Sequence, residues 1–299
     1  MIVGIGELLW DVFPDGRKVA GGAPFNFAFH CQQLGYEAVI VSRVGADDLG
    51  RELRDEAKRL GLSDEFIQTE RDHPTGTVQV SVDATGQPTY TITENVAWDF
   101  IEWDDNAERL AETCHCVCFG TLAQRHPVSR FTIRQFIGLG ADLSSTLCVF
   151  DVNLRPPFLP PAQLLRECCE LSDLVKVNGD EWGDLADLYD MPSTDLPFWL
   201  RRHGGKPGTI WIVTEGGDGV WVDPPQPILG GGFKGIDARV IDTVGAGDAF
   251  TAAMVCLHLE GRPLRECAQF ANHYAARVCE HQGGTPRIDR AEVELAAFG

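Results

Sequence analysis

Six apolar runs recur along the chain: Ile2–Ile5, Ala38–Val41, Cys116–Phe119, Leu147–Phe150, Leu174–Val177 and Ile210–Val213. Each is too short for a helix and lacks a polar side, so each reads as a strand buried on both faces. Amphipathic stretches such as Arg51–Leu60 and Ala162–Leu171 separate several of them. Buried strands alternating with helices predict an α/β fold, a mostly parallel sheet covered by helices on both sides. Ligands in such sheets collect outside the carboxyl ends of the strands.

One region breaks this rhythm. Thr77–Asp83 and Thr89–Thr93 alternate with period two, and Ala84-Thr-Gly-Gln-Pro88 between them reads as a turn. This is the pattern of an antiparallel hairpin with one face exposed or covering something. Leu8–Val12 and Lys18–Ala20 are candidates to extend it. No internal repeat or long linker appears, so a single domain of residues 1–299 with a β projection is expected.

The chain has 299 residues, 44% hydrophobic and 23% charged, ordinary values for a globular protein with a substantial core. Its formal net charge of −19 argues against nucleic acid or an anionic membrane as partner. No run of about 18 apolar residues exists to span a bilayer. The N-terminus reads as a strand and not a signal peptide, and the ten cysteines read as reduced thiols, so a cytoplasmic location is expected. Cys114-His-Cys-Val-Cys118 is better read as a core strand than as a metal loop.

The chemistry-bearing segments follow strands. Ala238–Ile241 reads as a β-rich run leading into Asp242-Thr-Val-Gly-Ala-Gly-Asp-Ala-Phe250. Gly245, Ala246 and Gly247 bring bare amides to a helix start, an anion seat, and Asp248 puts a carboxylate at its edge. Ala249, Phe250, Ala253, Met254 and Leu257 lie at helical spacing, and Gly261 and Pro263 stop the helix. Gly21-Gly22-Ala-Pro-Phe-Asn26 is a loop entering a helix with Pro24 near its start. Asp151-Val-Asn-Leu-Arg155 sits at a strand's carboxyl end, where the Arg155 fork can meet sugar or phosphoryl oxygens, or simply solvent. Asn178 and Glu181 share one side of a helical turn, a spacing that suits Mg²⁺ through ordered water or a capping box. Thr214, Gly216, Gly217 and Gly219 suit close passage of a nucleotide, or a plain hairpin turn. Gly4 and Gly6 begin a dinucleotide fingerprint but lack its third glycine, and no P-loop or protein-kinase motif set exists.

Taken in order from Asp11 to Gly284, these segments closely resemble the ribokinase-like (PfkB) carbohydrate kinases, and Gly-Gly-Ala-Pro-x-Asn looks particularly like bacterial fructokinases. The resemblance covers essentially the whole chain. It implies a three-layer α/β/α fold with a small β-sheet lid, formed by approximately 8–20 and 74–103, that covers the sugar and often forms dimers. It implies ATP and Mg²⁺ as cofactors, transfer to a sugar's primary hydroxyl, and D-fructose as acceptor. The alternatives are ribose, a 2-keto-3-deoxy sugar acid, a nucleoside, or a non-catalytic sensor. Asp248 would be the base, with Asp11, Gly21, Gly22, Asn26 and Arg155 holding the sugar. Asn272 would approach adenine, and the Gly283–Gly284 loop would close the nucleotide pocket. Main-chain carbonyls around Asp242 and Val244 would form a K⁺ site.

Overall fold

The computed structural model describes residues 1–82, 88–143, 146–188, 205–223 and 232–299. A nine-stranded sheet runs in the order β13-β12-β11-β10-β9-β8-β1-β4-β5. Its strands are β1 (Ile2–Ile5), β4 (Ala38–Gly45), β5 (Ile67–Glu70), β8 (Cys116–Phe119), β9 (Leu147–Asp151), β10 (Leu174–Asn178), β11 (Ile210–Thr214), β12 (Gly219–Asp223) and β13 (Gly232–Lys234). All pairs from β5 through β11 are parallel, and only β12 and β13 join antiparallel. The register is level: Ile2 lies opposite both Ala38 and Cys116, and Leu174 opposite Ile210. Ile5, Phe119, Asp151, Asn178 and Thr214 therefore end their strands along one edge.

Alternate side chains of each strand feed two cores. Ile2, Cys116 and Cys118 pack with α1 (Ala23–Gln33), α7 (Ala246–Leu259) and α8 (Leu264–Cys279) on one face. Val3, Ile5, Val117 and Phe119 pack on the other with α3 (Asp105–Thr113), α4 (Pro127–Leu143), α5 (Ala162–Leu171) and α6 (Gly179–Leu188). The result is the three-layer α/β/α sandwich expected from continuous apolar strands. The remaining α-helices among the described residues are α2 (Asp48–Arg59) and α9 (Arg290–Phe298). The three cysteines of the 114–118 run are buried core residues.

A separate four-stranded sheet has the order β3-β2-β6-β7, from β2 (Leu9–Val12), β3 (Lys18–Gly21), β6 (Gly76–Val82) and β7 (Pro88–Ile92). β6 and β7 form the expected hairpin, with Val80 opposite Tyr90. Residues 84–87 of its expected turn lie outside the described residues. Beyond the hairpin, Trp98 and Ile101 are buried in the main core, and the Trp98 indole occupies the place a side chain at Gly76 would take.

Two local expectations change. Ala238–Ile241 is not a strand: Val240 and Ile241 are 63% and 59% exposed. The amides of Ile241 and Asp242 go to the Cys279 carbonyl at the end of α8 instead of a strand partner. Nor does α7 bury a single face. Every residue from Ala249 to Leu257 is buried, because the sheet, α1 and α8 enclose the helix.

Candidate active site

The turn that opens α7 stands at the carboxyl edge of the sheet. Gly245 is left-handed, φ 75°, and caps the helix. A Cβ there would lie 2.5 Å from Gly284 Cα, so the two glycines let two loops touch. Asp242 fastens both loops: one carboxylate oxygen accepts from the Val244 amide (3.0 Å), the other from Gly283 (2.9 Å). Ala246 donates its N–H to the Thr243 carbonyl (3.3 Å). The amides of Gly247 and Asp248 follow it as helix-start donors without an intrahelical acceptor. Of the trio expected to offer amides, Gly247 is therefore better placed than Ala246.

Asp248 lies half-buried in this first turn and accepts a hydrogen bond from Asn26 Nδ2 at 2.8 Å. Asn26 comes from the first turn of α1, behind Gly22, whose φ of 115° places it where any Cβ would overlap the Glu7 carbonyl. Burial raises the Asp248 carboxyl to about 6, with neighbouring Asp151 adding to it and Asn26, Lys176 and Arg155 pulling back. Asp11, on β2, packs its carboxylate 2.9 Å from where a Gly21 Cβ would be. It too is raised, to about 6, by burial against the pull of Arg155. Exposed Arg155 thus faces both carboxylates while its Nη1 bonds the Leu154 carbonyl. Among the described residues buried Asn26 Oδ1 has no partner, an acceptor left for a ligand hydroxyl.

The residues expected to border a nucleotide line the neighbouring strand ends. Asn178 ends β10 opposite Thr214 at the end of β11, whose hydroxyl bonds the Val177 carbonyl (3.4 Å). Asn178 and Glu181 form a reciprocal capping box: Asn178 Oδ1 accepts from the Glu181 amide and Glu181 Oε2 from the Asn178 amide, both at 2.9 Å. Glu181 Oε1 accepts from the Leu154 amide (2.8 Å). With both carboxylate oxygens engaged and only 3% of the residue exposed, this pair fits Mg²⁺ held through its water shell and not by direct bonds. Asp242 is likewise occupied, so main-chain carbonyls would have to supply a K⁺ site. Gly216 and Gly217 are exposed in the β11–β12 turn, and Gly219 pairs with Lys234. Asn272 Nδ2 donates to the Lys234 carbonyl (2.9 Å), tying α8 to β13.

Three buried polar residues, Glu7, His30 and Lys176, are additional to the sequence reading, and Asp151 of the 151–155 segment gains a partner. Glu7, after β1, accepts from the Ala23 amide (3.3 Å), and burial lifts its carboxyl to about 7. His30 joins α1 to the Gly284 loop. Burial lowers its pKa to about 4, so it is neutral, its Nε2–H donating to the Gly284 carbonyl (3.0 Å) and Nδ1 accepting from Tyr274 (3.1 Å). Lys176 and Asp151 pair at 3.1 Å. Burial opposes the lysine's charge, but Asp151, Glu181 and Asp248 together raise its pKa. The signal was a charge inside an apolar strand for Lys176 and a polar residue inside the apolar Phe27–Cys31 run for His30.

The pfkB family carbohydrate kinase profile matches residues 12–290. The chain belongs to this family of sugar kinases. It is 29% identical over 289 residues to a fructokinase of Klebsiella pneumoniae, covering 92% of this chain and 90% of the relative. A sugar kinase of Pyrococcus horikoshii solved with ATP superposes with a TM-score of 0.82 at 26% identity, covering 99% and 97% of the two chains. A fructokinase double mutant of Vibrio cholerae O395, solved with fructose, ADP and potassium ion, shares the fold at TM-score 0.81 and 21% identity, covering 100% and 98%.

Proposed function

We propose that this chain is an ATP-dependent fructokinase that transfers the γ-phosphoryl group to the primary 6-hydroxyl of D-fructose. The observation that carries the reading is the 2.8 Å bond between Asn26, on the sugar-side helix, and Asp248, on the phosphate-side helix. It leaves Asp248 Oδ1 for the acceptor hydroxyl, next to the open amides of α7. Asp11, Asn26 Oδ1 and Arg155 surround that position with groups suited to polyol hydroxyls. The fructokinase name of the Klebsiella relative supports the choice of sugar.

In this reading the sugar oxygen bonds to the γ-phosphorus as the bond to the β-phosphate bridging oxygen breaks, and the hydroxyl proton passes to Asp248. A carboxyl near pH 6 cannot ionise an alcohol beforehand, so the proton moves late, through a loose transition state. The Gly247 and Asp248 amides stabilise the charge on the transferring group. Mg²⁺, when bound, offsets phosphate charge, with Asn178 and Glu181 holding it through water. Thr214, Gly216, Gly217, Gly219 and Asn272 border the nucleotide, and carbonyls near Asp242 and Val244 take K⁺. The β2-β3-β6-β7 sheet covers the sugar and excludes water; it is also the face through which two copies would pair.

ATP consumption measured over a panel of sugars, with and without K⁺, tests this. The expected result is the highest kcat/KM with D-fructose and stimulation by K⁺. Turnover with ribose or a nucleoside alone would overturn the acceptor, and binding without turnover would overturn the enzyme.

A further inference from the structure

Beneath the turn that opens α7, three buried side chains are bonded in series. Asp151, the last residue of β9, accepts from Lys176 Nζ through Oδ1 (3.1 Å) and from Thr251 Oγ1 through Oδ2 (2.8 Å). The Thr251 hydroxyl also lies 3.0 Å from the Gly247 carbonyl, inside the first turn of α7. Asp151, Lys176 and Thr251 are 5%, 5% and 1% exposed. A buried ion pair is a poor device for stability alone, since well-packed apolar residues serve as well or better. Its position points to another use. A Cβ on Gly247 would sit 3.0 Å from the lysine ammonium, so the missing side chain is what lets a cation approach the turn from below. An ammonium has three donors, and among the described residues Asp151 is its single hydrogen-bond acceptor. The chain carries a net charge of −19, and Asp248, Glu181 and Glu7 add carboxylates around the same strand ends, so a polyphosphate needs a resident positive charge here.

We propose that Lys176 is a positioning residue of the phosphoryl seat: held by Asp151, its ammonium adds a permanent positive charge under the Gly247–Asp248 amides, while Asp151 locks the first turn of α7 through Thr251. Preorganised charge of this kind acts on the transition state more than on ground-state binding. The inference rests on the phosphoryl-transfer reading, and it predicts a kcat effect with little change in sugar KM.

Two variants test it. Lys176→Met combined with Asp151→Asn removes both charges together, so no unpaired ion is left buried. It is expected to lower kcat on the order of 10²-fold, with sugar KM changed by less than about threefold. Thr251→Val keeps both charges and the side-chain volume but cuts the tether. It is expected to lower kcat about tenfold and to speed amide hydrogen exchange at 247–251 in the free protein. A double-charge variant with wild-type kcat, or a Thr251→Val protein with unchanged kcat and exchange, would overturn the proposal. If the double-charge variant does not fold, Thr251→Val decides alone. Should the wild-type protein transfer phosphate to no sugar, the kinase reading falls instead, and exchange in Thr251→Val still decides the tether.

Discussion

Two glycine-rich turns of this protein look alike on paper and behave differently in space. Gly245-Ala-Gly247 opens a helix buried on all sides, touches the Gly284 loop, and has a carboxylate in its first turn and a buried ion pair beneath it. Gly216-Gly-Asp-Gly219 closes a hairpin between β11 and β12 at the sheet edge, largely exposed. Its last glycine is needed because a Cβ there would overlap the Phe233 carbonyl and disturb the pairing of β12 with β13. Glycine in the first turn makes room for a facing loop and an ammonium; in the second it makes room for a neighbouring strand. What separates them is the company they keep.

The largest expected difference is at the carboxylate. Asp248→Asn should lower kcat on the order of 10²-fold or more, with an unchanged melting temperature. Near-normal turnover in this variant would remove the assigned base and with it the chemical meaning of the first turn. Next are the glycines themselves. Gly245→Ala strains a left-handed residue and drives a Cβ to 2.5 Å from Gly284. The seat should shift, and kcat should fall by up to about 10²-fold, as small misplacements do. Gly219→Ala opens the strand pairing instead and should raise the ATP KM about tenfold at nearly constant kcat. A kcat loss in both would erase the distinction.

The protonation state of the first turn gives a graded test. Asp248 must be ionised to accept a proton, and its carboxyl is raised to about 6 by burial. At subsaturating sugar, kcat/KM should therefore fall about tenfold per pH unit below that value, and this limb should flatten in Asp248→Asn. Stability runs the other way. Glu7, Asp11 and Asp248 are raised to about 7, 6 and 6, so between their unfolded and folded values the native state binds more protons. Their contribution is full below the unfolded values near pH 4 and is lost as pH rises through the folded ones. In the free protein the melting temperature should drop by a few degrees from about pH 5 to 7.5, less steeply in Glu7→Gln.

Much of this was legible in the chain, for a physical reason. Six apolar runs became parallel strands within one residue of their expected ends, save β4, which runs on to Gly45, because both faces of those strands are buried and nothing polar competes. Asn26, Asp248 and Arg155 converge because parallel strands and the helix starts beside them deliver their ends to one edge, and Asp11 meets them from β2 of the smaller sheet. Local pattern failed where a distant partner decides. The Ala238–Ile241 run finds no strand partner among the described residues, and its Ile241 amide turns to Cys279. Glu181 forms the capping box its spacing allowed, but its second oxygen goes to the amide of Leu154, a partner no local spacing points to. Lys176, hidden in an apolar strand, draws its meaning from Asp151 and Thr251, at sequence distances no spacing rule reaches.

The smallest effect sharpens the second turn. Asn272 reaches from α8 to the Lys234 carbonyl across 2.9 Å, beside the strand pair that Gly219 permits. One hydrogen bond at a partly exposed site contributes about 1 kcal/mol. If this bond shapes the nucleotide border, Asn272→Ala should raise the ATP KM by about threefold to fivefold and leave kcat and sugar KM alone. Asn272→Asp, which replaces the donor with an anion facing a carbonyl, should do more than alanine. Were Asn272 to touch adenine directly, exchanging ATP for GTP would change its mutational effect; if it serves only to hold β13, both nucleotides should suffer equally. Equal penalties would class this turn, with its glycines, as a frame for the nucleotide, and leave base recognition to other residues.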